Sequence, residues 1–205
     1  IDLNTGEQVQ ASSLGFSNDF YFELTGKENE SGVNLLYTFY IQDIIAKTDG
    51  GKIVLAESYY KDQEQSYDNS LFTSSMYNSY TPVNIYNYND VVIYDIDAAG
   101  SISSVQIINK RQSSQDDRGT YSSFFTLNAQ NQLRLLFLSD IDANATLNEY
   151  VFGEEAVYKP NTVFSIRSKG VFPIAKMCVQ TAPNEVVMPS FEDNRVGLIK
   201  LTYNP

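Results

Sequence analysis

Histidine and tryptophan are missing from the 205-residue chain, and cysteine occurs once, as Cys178. Without histidine there is no Ser–His or Cys–His nucleophile pair and no imidazole-bound metal. One cysteine excludes an intramolecular disulfide. Its neighbours Met177 and Val179 are apolar, so it reads as a small core residue. Basic residues are scarce: 14 Lys and Arg stand against 25 Asp and Glu, a formal net charge of −11. Nucleic acid is held by a basic field that releases counterions, so this balance argues against DNA or RNA as a partner. Long apolar runs are missing as well. The densest, Leu133–Leu138, is broken by Arg134 and falls far short of the ~20 residues a spanning helix needs. The chain begins at Ile1 with neither a basic nor an apolar leader region, so a processed product or a piece of something longer is expected.

What is present is β structure. Apolar residues make up 42% of the chain, and 12 Phe with 15 Tyr can fill a core without tryptophan. The apolar positions alternate with period two, and no stretch sustains helical spacing. Val91–Asp97 turns at Gly100 into Ser101–Ile108, and Tyr121–Leu127 turns near Asn128–Asn131 into Leu133–Leu138. Asp43–Lys47 turns at Gly50–Gly51 into Lys52–Glu57; Thr162–Arg167 turns at Gly170 into Val171–Met177; Glu185–Met188 turns into Val196–Leu201. These hairpins group into units of about four strands over residues 1–60, 83–140 and 147–203, within one all-β domain spanning 1–205. Four strands per ~40–50 residues is the signature of a propeller blade. Three units are too few to close a ring, so a partial propeller is expected, with a β-sandwich as the alternative. Residues 61–82, rich in Ser, Asn and Tyr, read as an insertion loop.

The stretch from Gly100 to Asn144 is the most distinctive. It runs Gly100–Ser101–Ile102, then Ile108–Asn109–Lys110–Arg111–Gln112, Asp116–Asp117–Arg118–Gly119, Tyr121–Ser122–Ser123–Phe124 and Phe137–Leu138–Ser139–Asp140. It resembles a blade of the propeller-like domains in uncharacterised envelope proteins of Bacteroidetes-type bacteria, with Ser139 where an Asn is usual. The resemblance implies a propeller fold and a secreted or envelope location, as a periplasmic or surface lipoprotein. It implies no catalytic residue.

Lys110, Gln112, Asp116, Asp117 and Tyr121 cluster around one interstrand segment and are the candidate ligand-binding residues. The competing reading is structural, with the Asp side chains closing turns. Asp140, Asp142 and Asn144 place oxygens at alternate positions, as a calcium loop does. Ala145 and Val151, however, replace the glycine and the closing glutamate such a loop requires. A solvated loop accounts for them, and no metal or cofactor is expected. Catalysis has no residue pattern in its favour. The functional expectation is a binding or scaffolding module with a protein or glycan partner, the alternative a carbohydrate-binding or carbohydrate-processing domain.

Overall fold

The computed structural model describes residues 18–25, 38–67, 80–129, 132–152, 159–192 and 195–203. Helix α1 (Asn18–Thr25) precedes strands β1 (Phe39–Ala46), β2 (Lys52–Tyr67), β3 (Tyr80–Ile96), β4 (Ile102–Ile108) and β5 (Gln112–Gln115). Strands β6 (Phe125–Ala129), β7 (Gln132–Leu138), β8 (Thr146–Phe152) and β9 (Lys159–Ser165) follow. Helix α2 (Ile166–Lys169) and a 3₁₀ turn at Ala175–Met177 lead to β10 (Val179–Ala182), β11 (Glu185–Glu192) and β12 (Arg195–Thr202). The strands form three antiparallel sheets: β1-β2-β3-β4 with β5 also on β3, β6-β7-β8-β9, and β10-β11-β12. The chain divides into two compact units, Ile1–Ser58 with Asp90–Lys110, and Tyr59–Asn89 with Arg111–Pro205.

In the first unit two hairpins dominate. β1 and β2 pair with Ile45 opposite Ile53 and Ile41 opposite Ala56, interrupted by a bulge between Ile41 and Asp43. Their turn is fixed by Asp49, whose Oδ1 accepts the Gly51 N–H at 2.8 Å. A side chain at Gly51 would place its Cβ 2.5 Å from the Ile96 carbonyl, so only glycine fits there. β3 and β4 pair with Val92 opposite Ile107, and Asp97 Oδ1 caps their turn by accepting the Ser101 N–H at 2.8 Å. Leu55, Val91, Val92 and Ile108 are fully buried, each contributing about 1.5–3 kcal/mol of hydrophobic stabilisation.

The second unit is layered. Leu127, Leu136, Leu138 and Leu147 from the four-stranded sheet share one core with Val186 and Met188 from β11, and Ile166 and Cys178 fill it further. Period two explains the pattern in β11: Val186, Met188 and Ser190 are buried, while Val187, Pro189 and Phe191 alternate with them. Arg134 and Glu149, on neighbouring strands, meet at 3.1 Å inside this unit. The Arg134 guanidinium also sits 4.6 Å over the Tyr203 ring.

The propeller expectation is overturned: among the described residues none of the three sheets closes into a ring, and two of the expected blades are each split between sheets. The segment 83–140 supplies strands to two sheets, β3–β5 to the first and β6–β7 to the second. The segment 147–203 likewise gives β8–β9 to one sheet and β10–β12 to another. The resemblance to a propeller blade fails for the same reason, since Gly100–Asn144 crosses from one sheet to the next. Hairpins are local, but sheet membership is decided by distant pairing. Two finer expectations also change. Ile166 and Arg167, expected to end a strand, open a helical turn that runs to Lys169 and is closed by Gly170 at φ 61, and Val171–Met177, expected as the returning strand, has one isolated bridge at Pro173 and ends in the 3₁₀ turn. Residues 61–67 and 80–82 extend β2 and β3, while the rest of the expected insertion, and the hairpin expected around Asn4–Gly6, lie outside the described residues.

Candidate functional site

A cleft of about 990 Å³ opens in the second unit. One wall is β5 with its following loop, through Ser113, Ser114, Gln115, Asp117 and Tyr121. A second is the β7–β8 loop, through Ile141, Ala143 and Asn144. Helix α2 and the residues after it add Ile166, Arg167, Gly170, Val171 and Phe172, and β11 adds Phe191.

The loop after β5 is held by its own polar groups. Asp117 Oδ1 accepts the Ser114 hydroxyl at 2.5 Å and the Gly119 N–H at 2.7 Å. Thr120 donates from Oγ1 to the Asp117 carbonyl at 2.5 Å. Asp116 Oδ1 accepts the Asn84 N–H at 3.0 Å and its side-chain amide at 3.1 Å, tying the loop to β3. Tight winding puts Asp116, Arg118 and Gly119 at positive φ. At Gly119 a Cβ would lie 2.3 Å from the Tyr88 ring, so the close approach demands glycine. Lys176 Nζ donates to the Gly119 carbonyl.

The opposite wall is fixed by backbone. The Ile166 N–H reaches the Ala145 carbonyl at 3.0 Å, seating α2 against the β7–β8 loop. That loop is itself an Asx turn, in which Asp142 Oδ1 accepts the Asn144 N–H at 2.8 Å. Phe172 packs edge-on against Tyr121, centroids 4.7 Å apart and planes at 76°. Its carbonyl accepts the Phe191 N–H at 3.2 Å. The cleft therefore carries aromatic rings at Tyr121, Phe172 and Phe191 beside polar groups at Gln115, Asn144 and Arg167.

Two of the sequence candidates, Asp117 and Tyr121, line this cleft. The others lie elsewhere. Gln112 is buried and bridges strands, donating to the Leu138 carbonyl at 2.6 Å and accepting the Ser123 N–H at 2.7 Å. Asp116 is spent on Asn84. Lys110 is fully buried in the first unit, 2.8 Å from Glu57 Oε1, with its backbone N–H on Asp90 Oδ1 at 3.1 Å. Of the calcium-like positions, Asp140 accepts the next residue's N–H at 2.7 Å, and Asn144 alone faces the cleft. Among the described residues no three His, Cys, Asp or Glu side chains gather as a metal site. Tyr59 and Tyr88 pack against each other with ring centroids 4.7 Å apart, and Lys61 lies 5.5 Å over Tyr86. Arg167, Phe172 and Phe191 were not legible as site residues. Only the turn signal at Gly170 hinted that the chain there leaves the strand pattern.

Comparison with protein-family models, with curated proteins and with solved structures finds no match to this chain. No helix among the described residues is long and apolar enough to cross a membrane.

Proposed function

We propose that this chain is a carbohydrate-binding module whose site is the cleft between the β5 loop and α2. The observation that carries the reading is the lining: three aromatic side chains next to amide, hydroxyl and guanidinium groups. Sugars present apolar C–H faces and a rim of hydroxyls, and a surface with rings and hydrogen-bonding groups side by side answers both. At about 990 Å³ the cleft is at the upper end of small-ligand sites, large enough for several sugar rings. Binding is favoured over processing. Glycoside hydrolysis uses two carboxylates about 5 to 9.5 Å apart, and among the lining residues Asp117 is the one carboxylate, already engaged within its loop. A secreted or envelope location in bacteria, where cell-wall and extracellular glycans are met, accompanies this reading.

A glycan array probed with the purified chain tests it. Discrete glycan hits are expected, weakened at least tenfold in Phe191→Ala and in Arg167→Ala, both at exposed positions. An array without hits, or binding that both substitutions leave intact, would overturn the proposal.

A further inference from the structure

A lysine and a glutamate are sealed inside the first unit. The side chains of Lys110 and Glu57 are both 0% exposed, and Nζ lies 2.8 Å from Oε1. Leu55 and Ile108, each two residues earlier in the chain, are fully buried as well. Burial holds the Lys110 amine below the usual lysine range, against the opposing pull of Glu57 and Asp90. One proton passed from Nζ to the carboxylate across that 2.8 Å contact turns the pair into amine and carboxylic acid. Those are the two forms that condense. The amine is one C–O bond, about 1.2 Å, beyond hydrogen-bond distance of the carboxyl carbon at most. Asp90, accepting the Lys110 backbone N–H at 3.1 Å, fixes the residue that carries the nucleophile.

We propose that Lys110 and Glu57 condense to an intramolecular isopeptide bond linking β2 to the segment after β4. Nζ attacks Cδ of the protonated Glu57, the Nζ–Cδ bond forms, and the Cδ–OH bond breaks. The departing hydroxyl takes one amine hydrogen and leaves as water, so the step is redox-neutral and needs no co-reactant. Amide formation between free molecules is opposed by bulk water and by the entropy of bringing them together. Here the groups are fixed, with effective molarities of order 10⁵–10⁸ M attainable in such arrangements, and bulk water is excluded. The bond is independent of any glycan site.

Intact-mass spectrometry of the full chain, folded at neutral pH and then denatured, is the test. The mass is expected to be lower than that of the sequence by one water. Tryptic digestion should then join Ile53–Lys61 to Asp62–Arg111, with no cleavage after Lys110. Lys110→Arg and Glu57→Ala should each keep the full sequence mass. Because either variant can fail to fold, the wild-type peptide map is the deciding measurement. A cooperatively folded wild type at full mass overturns the proposal. So does water loss that maps to Asp49–Gly50 as a succinimide. A loop closed within Asp62–Arg111, which would put the bond on Asp90, overturns it as well.

Discussion

Asp117 holds its loop by accepting two hydrogen bonds, from the Ser114 hydroxyl and the Gly119 N–H, and its neighbour Arg118 sits in the left-handed region at φ 60. The two residues should therefore respond to substitution in opposite directions. Asp117→Ala leaves part-buried donors unmet and is expected to lower the unfolding free energy by about 1–3 kcal/mol. Arg118→Gly removes a steric penalty that a non-glycine residue meets at positive φ, offset by the freer unfolded chain, and is expected to be neutral or up to about 1 kcal/mol stabilising. Urea unfolding of both variants beside the parent reads the difference. If Asp117→Ala retained full stability while glycan binding was lost, the carboxylate would belong to the ligand and not to the loop.

Strand β12 shows what an edge costs. It lies at the border of the three-stranded sheet, and its outward residues Val196 and Leu198 are 69% and 75% exposed. An exposed apolar edge is a template for association. Leu198→Lys is expected to leave stability within about ±0.5 kcal/mol and to reduce self-association in concentrated solution, as light scattering would show. A larger stability loss would mean that Leu198 packs against the fold. The same strand shows how far the sequence could be read. Glu185–Met188 and Val196–Leu201 were legible as a hairpin because period-two alternation and a polar turn are local signals, and they pair as β11 and β12. The grouping of hairpins was not legible, since β8 and β11 carry similar alternation yet join different sheets. At the site, Asp117 was visible through its turn chemistry. Phe191 was hidden among strand aromatics, because nothing in the alternation says which face of β11 meets solvent. Glu57 did leave a signal, a charge directly after Val54–Leu55–Ala56, but its partner lies fifty-three positions away in the chain.

Over the whole molecule, proton binding ties stability to pH. Burial pushes the Cys178 thiol up from an ordinary 9.0 to about 12, and burial, with Glu149 beside it, raises the Tyr203 phenol too. Above pH 9 the unfolded chain gives up its thiol proton while the folded chain keeps it. The folded state then binds more protons, and stability falls as pH rises towards 12. Lys110, held below its ordinary 10.5, works in the opposite sense for as long as its amine is free. The expected result is an alkaline decline in unfolding midpoint between pH 9 and 11 that is shallower in Cys178→Ala, each chain referred to its own midpoint at pH 7. Equal slopes would remove the thiol from the explanation. The division of the chain into Ile1–Ser58 with Asp90–Lys110, and Tyr59–Asn89 with Arg111–Pro205, has its own consequence during synthesis. A ribosome makes the chain from the amino end, and every residue of the first unit has emerged soon after Lys110 is added. The second unit still lacks its carboxyl-terminal strands at that moment, so the core that Leu127, Leu136 and Leu138 share with Val186 and Met188 must wait for residues that have not yet been translated.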